Sequence, residues 1–331
     1  MTRGSMRVYS SLVRLQLAGL TQHRRHISKG AIEDFAAFRR ACAQQKRAPA
    51  QLRNFVEAGM KLQIPVMDRD ALEALSLAPI ANCMHRLVWL LDYRAWKSTE
   101  GLDSGGRSEL QELAIYEFDL FLEALDKLHS CLPGEMNAEG EAEALHIRRV
   151  AVLSFFRNVV ASAFTYGLLS SIDASRIVSS LRDCGWSGFI VDPMAGTGFH
   201  SLLFANAGVC SVAYDGGATP EGTTWFPVRD GVDAADAVCR GDQSTGDHDA
   251  QSGALFLSWP PSTDDAAARA LKSFCGNYVV FLGDDGTWSG CPLLRRELFH
   301  SSNWESLSDE AARSWPGCHI KDRLILLRRT A

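Results

Sequence analysis

The sequence lacks several features that would assign it at once to a particular class of protein. Its nine cysteines include no CxxC pair, so they indicate neither a disulfide framework nor a structural zinc site, and a reducing compartment is expected. No apolar run approaches the ~18–20 residues that a membrane-spanning helix needs. The net charge of −5 gives no overall argument for a nucleic-acid partner, although a local basic patch would still permit one. We therefore expect a globular protein without a membrane span and without a bound metal.

Acidic residues are absent from the first 32 positions, which instead carry six lysines or arginines and several serines. On a helix, Arg3, Arg7 and Arg14 would share one narrow stripe, with apolar residues opposite. An amphipathic segment that is rich in Arg and Ser and poor in acids is typical of mitochondrial targeting. We predict a targeting segment over residues 1–30 and a mitochondrial location. The alternatives are a basic tail or an ordinary surface helix, and a cytoplasmic location.

The rest of the chain divides into two regions by the spacing of its apolar residues. From about residue 31 to 184, apolar residues recur at intervals of three and four, which predicts helices broken near Pro65, Pro79 and two loop-like stretches. After residue 186, short apolar runs alternate with helical or loop segments, which is typical of a parallel, doubly wound α/β sheet. The runs cover residues 188–192, 209–215, 253–260, 277–283 and 323–329. We predict an all-helical region over 31–184 and a Rossmann-like α/β domain over 185–331.

The stretch DPMAGTG at the end of the first apolar run carries the strongest chemical signal. Asp192 ends the run, Gly196 and Gly198 allow backbone amides to approach a ligand, and a new apolar pattern follows. A strand, a glycine turn and a helix N-terminus together form a nucleotide-binding device. The GxGxxG fingerprint of dinucleotide-binding proteins is not met, because Ser201 stands where the third glycine would be. A nucleotide-dependent oxidoreductase is therefore the least favoured hypothesis.

A second acid and a proline pair extend this pattern. Asp215 ends the next apolar run about 20 residues later, where a carboxylate can accept both hydroxyls of a ribose. The segment LFLSWPP (255–261) places Ser-Trp-Pro-Pro after another run. DPMAGTG, Asp215 and SWPP resemble motifs I, II and IV of class I S-adenosylmethionine-dependent methyltransferases, in particular those that methylate nucleobase amines. The resemblance covers roughly residues 186–329. This stretch also resembles an uncharacterised methyltransferase-like group with GxGTG and SWPP motifs.

This resemblance implies a Rossmann-like class I methyltransferase domain, S-adenosylmethionine as the cofactor, and a site with two parts. The implied cofactor contacts are Asp192, Ala195, Gly196, Gly198, Asp215 and Asp233. The first four would surround the methionine end of the cofactor, Asp215 would bind the ribose, and Asp233 would bind the adenine amine. A polar side chain and a carbonyl would accept hydrogen bonds from the target amine, on a loop that the prolines hold rigid. The implied acceptor-positioning residues are Ser258, Trp259 and Pro260.

Two positions depart from the motifs and keep two functions open. Met194 stands where the first glycine would be, and Ser262 stands where an aromatic side chain would stack on a base. The first hypothesis is a methyltransferase that acts on a nucleobase amine of RNA. The second is a catalytically degenerate methyltransferase-fold subunit with a structural or assembly role in a mitochondrial ribonucleoprotein. A bulky side chain over Gly196 and Gly198 would argue against the enzyme.

Four further residues are site candidates because of their positions in the sequence. His200 comes directly after the glycine turn and is expected to face solvent, or else to touch the cofactor carboxylate. His319 is a weaker site candidate. Trp225 and Phe226 would pack either near the adenine or in the core.

Overall fold

The structure of the chain is a computed structural model. It describes residues 29–44, 50–66, 68–100, 104–131, 141–218, 223–244, 252–284, 286, 288–316 and 320–330. The predicted targeting segment lies outside this set apart from its last two residues, and so does His319.

Helices fill the described part of the chain before the sheet, as predicted. They are α1 (Lys29–Gln44), α2 (Ala50–Lys61), α3 (Arg69–Ala74), α4 (Ala78–Glu100), α5 (Ser104–Cys131), α6 (Glu141–Ala163) and α7 (Ser171–Asp183). Each long helix buries an apolar stripe, and Leu113, Phe118 and Phe121 of α5 are fully buried. Pro79, where a break was predicted, lies in the first turn of α4, because a proline is tolerated there without loss of an intrahelical hydrogen bond.

The second region forms one seven-stranded sheet in a Rossmann-like α/β arrangement. Its strands run in the order β3-β2-β1-β4-β5-β7-β6. They are β1 (Ile190–Asp192), β2 (Ser211–Asp215), β3 (Val228–Asp230), β4 (Ala254–Ser258), β5 (Tyr278–Asp284), β6 (Trp304–Ala311) and β7 (Asp322–Arg329). The helices of this region are α8 (Phe199–Asn206), α9 (Ala234–Ser244), α10 (Ala266–Ser273) and α11 (Pro292–His300).

The prediction of a parallel sheet is right for five strands and wrong for two. β1 to β5 are parallel, whereas β7 runs antiparallel to both β5 and β6. The direction of β7 depends on its hairpin with β6, and no apolar run marks β6. Only the first residue of that strand, Trp304, is buried, so the rest of WESLSDEA is free to be polar.

The two faces of the sheet are covered in different ways. Helices α9, α10 and α11 cover one face, where Ala237, Leu271 and Leu294 are buried. The other face packs against α8 and then against the helical region, because the described residues between β2 and β3 form no helix. The ring of Phe199 in α8 lies 4.7 Å from that of Phe118 in α5. The helical region thus forms a third layer that shares one continuous core with the sheet.

Buried polar contacts fix α7, which leads into β1. Ser170 caps the helix in a capping box with Asp173, and the Asp173 carboxylate also pairs with Arg313 from the loop after β6. The Asp119 carboxylate of α5 accepts hydrogen bonds from both the backbone N–H and the hydroxyl of Ser171. These contacts hold the start of the sheet against the helical layer.

Candidate cofactor and acceptor site

The glycine turn between β1 and α8 has two different glycines. Both have a positive φ, +53° at Gly196 and +73° at Gly198, which favours glycine. A Cβ atom on Gly196 would meet nothing within 4 Å, whereas a Cβ atom on Gly198 would lie 2.8 Å from Val228 Cγ2 and 3.1 Å from Phe226 Cβ. Close packing therefore requires Gly198, while Gly196 borders open space. A bulky side chain over both glycines would have argued against an enzyme. Phe226 and Val228 cover Gly198, but the approach to Gly196 is free.

The acids at the ends of β1 and β2 come together at this turn. The Gly196 N–H donates to Asp215 Oδ2 at 2.8 Å, and the Gly217 N–H donates to Asp215 Oδ1 at 2.8 Å. A carboxylate has about four acceptor positions, so Asp215 keeps capacity for further donors. Ala195 supports the turn from within, since its N–H donates to Tyr214 O at 2.8 Å and its C=O accepts from Gly198 N at 2.8 Å.

Asp192 lies under the turn with only 2% of its surface exposed. Burial raises the pKa of its carboxyl to about 7; the nearby negative charge of Asp215 adds to this rise, and the Met194 N–H opposes it. Ser201 Oγ lies 3.4 Å from Asp192 Oδ2. The pair of acids therefore resists full ionisation at neutral pH, and a nearby positive charge would relieve the repulsion between them.

The SWPP segment lies at the end of β4, on the same edge of the sheet. Ser258 Oγ and Trp259 Nε1 are both buried without a hydrogen-bond partner among the described residues. Trp259 has a φ of +46°, unusual for a residue with a side chain, and its N–H donates to Leu282 O at 2.7 Å. Pro260 O accepts from Gly290 N at 2.7 Å. The loop is firmly anchored by its backbone and leaves two polar side-chain atoms unsatisfied.

Residues 164–168, which join α6 to α7, lie across both parts of the site, and we refer to them as the covering segment. A Cβ atom on Gly167 would lie 2.6 Å from Ser258 Oγ, so this glycine packs directly on the serine. Thr197 Oγ1 of the glycine turn donates a hydrogen bond to Phe164 O. His200 Nε2 lies 3.0 Å from Gly167 O. The covering segment is thus hydrogen-bonded both to the glycine turn and to the first turn of α8.

The expectation that His200 faces solvent is wrong. Its side chain is buried, and burial lowers the pKa of the imidazole to about 4, so it is neutral at physiological pH. Because a carbonyl can only accept, Nε2 carries the proton and donates to Gly167 O. Gly167 lies 33 residues earlier in the chain, so no local pattern could indicate this contact.

Asp233 and Trp225 are both engaged with other residues. Asp233 is exposed after β3, its Oδ2 pairs with Arg269 Nη1 at 2.8 Å, and its Oδ1 accepts from Ala235 N at 2.9 Å. Its assignment to the adenine amine stays a prediction. Trp225 packs in the core, stacked on Phe164 with 5.1 Å between ring centroids, and its backbone N–H donates to Thr197 O at 2.8 Å. The core alternative holds for Trp225, which also fixes the glycine turn.

Three side chains around the SWPP segment were not predicted. The guanidinium of Arg157 lies 5.1 Å above the Trp259 ring. Tyr166, in the covering segment, is 61% exposed, and Trp288 is 69% exposed. Trp288 precedes Ser289, which pairs with Pro261 in an isolated β-bridge. An arginine and two exposed aromatic rings therefore border the proposed acceptor end. From sequence, these aromatics cannot be distinguished from core residues.

Searches for a metal site and for a membrane span give negative results within the described ranges. There, no group of three or more His, Cys, Asp or Glu residues could hold a metal ion. No helix in the same ranges combines the length and the apolar character needed to cross a bilayer.

Comparison with known proteins yields a weak structural likeness and no match in sequence. No family model matches the chain, and no curated protein matches it. Among solved structures, the chain is similar to a Burkholderia thailandensis 1,6-didemethyltoxoflavin-N1-methyltransferase with bound 1,6-didemethyltoxoflavin and S-adenosylhomocysteine. The identity is 15%, the TM-score is 0.36, and the match covers 60% of this chain and 94% of that chain. At this identity and TM-score, the likeness does not assign a function to this chain.

Proposed function

We propose that the protein is an S-adenosylmethionine-dependent methyltransferase that acts on a nucleobase amine of RNA. The observation that carries the proposal is the junction of Asp215 with the Gly196 N–H, at 2.8 Å, beside open space at the carboxyl ends of parallel strands. Ligands of open α/β sheets bind at that edge. The sheet adds support, since its parallel strands β1, β2 and β4 bring Asp192, Asp215 and Ser258 to the same edge.

The described residues fit the cofactor at three points. Asp215 has acceptor capacity for ribose hydroxyls, and Gly196 leaves room for a ligand to approach the backbone. Asp192 and Asp215 together form an acidic pair that a cation would stabilise. When bound, S-adenosylmethionine supplies an electrophilic methyl group on a positively charged sulfonium. We therefore expect cofactor affinity to rise with pH up to about 7, because the ionised form of Asp192 attracts the cation more strongly than the neutral form does.

The acceptor would lie at the SWPP end. Ser258 Oγ is an unsatisfied polar atom at the strand end and can accept a hydrogen bond from an amine, which orients the nitrogen lone pair for an in-line reaction. Trp288 and Tyr166 are exposed rings on which a base could stack, in place of the aromatic missing at Ser262. Arg157 is available to contact a phosphate. A stacked base and a nearby cation favour a nucleotide acceptor over an aliphatic amine.

One observation favours the second candidate, a structural subunit of a mitochondrial ribonucleoprotein. Gly167 packs on Ser258 Oγ, so an acceptor amine reaches this atom only if the covering segment moves. A subunit that had lost catalysis would need no such movement. The two candidates differ first in whether the cofactor binds.

Calorimetric titration with S-adenosylmethionine and S-adenosylhomocysteine tests the proposal. Asp215→Ala should reduce affinity by at least about tenfold, since a charge-assisted hydrogen bond contributes ~1.5–3 kcal/mol. Asp309→Ala, which removes an exposed carboxylate on β6, serves as the matched control and should bind as the wild type does. Absence of binding at millimolar ligand, with protein shown to be folded, would overturn the enzyme and leave the structural candidate. If binding is found, transfer of a labelled methyl group to transcribed RNA tests the acceptor class.

A further inference from the structure

A cavity lies in the helical layer. It has a volume of about 600 Å³ and is formed by α2, α4 and α6, with Thr223 at one side. Small-molecule sites typically have volumes of ~300–1,000 Å³ and mostly apolar walls with a few polar groups. Here Phe55, Val88, Leu91 and Phe155 supply apolar wall, and the polar groups include Asn54 and Ser98. The cavity is therefore of a size and composition suited to a small ligand.

Among the described residues that line this cavity, Arg94 alone is charged. Its Nη1 donates to Thr223 O at 2.8 Å, and its guanidinium lies 4.2 Å from the Trp225 ring centroid. A guanidinium has five N–H donors, so one hydrogen bond leaves most of them unused. Burial lowers the pKa of Arg94 to about 10, so the side chain is still positively charged at neutral pH. Within the described ranges, no carboxylate contacts this guanidinium.

Another arginine of the same helix shows what a compensated charge looks like. Arg86 reaches Glu117 with two hydrogen bonds, from Nε at 2.7 Å and from Nη2 at 2.6 Å. Such a bidentate pair offsets the cost of removing a charge from water. Arg94 has a carbonyl and an indole where Arg86 has a carboxylate. The difference leaves, at the wall of the cavity, a positive charge that no carboxylate of the described residues pairs with.

We propose that this cavity binds a small amphiphilic carboxylate, with its anionic head on Arg94 and its apolar body against Phe55, Leu91 and Phe155. The planar fork of arginine matches a carboxylate with two parallel hydrogen bonds. The apolar walls accept a chain or ring without hydrogen-bonding needs. This site does not depend on methyl transfer, so it stands or falls independently of the proposed function.

A matched pair of ligands tests the proposal on the full chain. Octanoate and 1-octanol have the same chain length and differ in charge, so calorimetric titration of both separates the head from the body. Wild-type protein should bind octanoate at least tenfold more tightly than 1-octanol. Arg94→Met, which keeps most of the side-chain volume, should remove that preference and leave 1-octanol binding unchanged. Arg53→Met, on the exposed side of α2, is the control and should behave as the wild type does.

Two further variants keep the test decisive. If Arg94→Met does not fold, Arg94→Lys retains the charge without the fork and should keep a reduced preference for octanoate. Ala95→Trp would fill the cavity from its rim and should weaken both ligands. Failure of octanoate to bind wild-type protein, or equal preference in wild type and a folded Arg94→Met, would overturn the proposal and make Arg94 a clamp for the Thr223 segment.

Discussion

The two ends of the proposed site differ in how their polar groups are satisfied. At the cofactor end, the Asp215 carboxylate accepts two backbone N–H groups, and Gly196 borders open space. At the acceptor end, Ser258 Oγ and Trp259 Nε1 are buried without partners among the described residues. A buried polar group without a partner costs ~1–3 kcal/mol. The cofactor end is therefore already formed, whereas the acceptor end carries a cost that a bound acceptor would relieve.

The largest expected effect is the change of stability with pH that buried Asp192 causes. Burial raises the pKa of Asp192 to about 7. Between the ordinary carboxyl pKa and this value, the unfolded chain loses the proton while the folded chain keeps it. Stability therefore falls as pH rises through this window, by up to ~1.4 kcal/mol per pH unit. Asp192→Asn cannot titrate, so its stability relative to wild type should increase from pH 5 to 7 and level off above.

Urea unfolding of both proteins at several pH values measures this effect. Asp309→Asn on exposed β6 is the control, and its difference from wild type should change little over the same range. A constant difference between Asp192→Asn and wild type from pH 5 to 8 would show that Asp192 is ionised throughout.

A smaller effect separates the two glycines of the turn. Alanine at either position must adopt a positive φ, which costs ~1–3 kcal/mol. Gly198→Ala also forces Cβ to within 2.8 Å of Val228 Cγ2, whereas Gly196→Ala meets no neighbour. We expect Gly198→Ala to destabilise the fold by ~1–3 kcal/mol more than Gly196→Ala, because overpacking adds to the strain. Thermal unfolding measures both, and equal losses would contradict the contact with Val228.

Loss of an exposed ring should weaken the acceptor end alone. Stacking of a base on an aromatic side chain contributes ~1–3 kcal/mol, so Trp288→Ala should lower kcat/KM for RNA by about tenfold or more. Cofactor affinity should stay unchanged. Trp96→Ala, which removes another exposed tryptophan on α4, should change neither. A fall in cofactor affinity for Trp288→Ala would move this ring to the cofactor end.

The smallest expected effect joins the two ends. Thr197→Val keeps the shape of the side chain but removes the hydroxyl that donates to Phe164 O. The free energy of unfolding should fall by about 1 kcal/mol, and amide hydrogens of the covering segment should exchange faster. Thr99→Val, on an exposed part of α4, provides the comparison. Unchanged exchange in residues 164–168 would show that other contacts alone hold the covering segment.

The sequence predicted the cofactor end better than the acceptor end for a physical reason. Asp192, Gly196 and Asp215 belong to short local patterns, a strand end followed by a turn, which the chain displays in consecutive residues. The parallel sheet places the ends of adjacent strands together automatically. The helical region was likewise predictable, because apolar residues at intervals of three and four define its buried faces.

The acceptor end depends on contacts between distant residues. Gly167 lies on Ser258, and His200 is buried against Gly167, across 91 and 33 positions of sequence respectively. No period or motif carries such information. β6 escaped prediction for a related reason, because an exposed edge strand that is polar after its first residue has no apolar signature.

Trp225 contacts both the cavity wall at Arg94 and the glycine turn. Its ring is in contact with Arg94 on one side, and its backbone N–H bonds Thr197 of the glycine turn on the other. Linkage between binding sites is reciprocal. If a carboxylate bound at Arg94 changes cofactor affinity by some factor, the cofactor must change carboxylate affinity by that same factor. The same coupling factor could then be measured by titrating either ligand in the presence of the other.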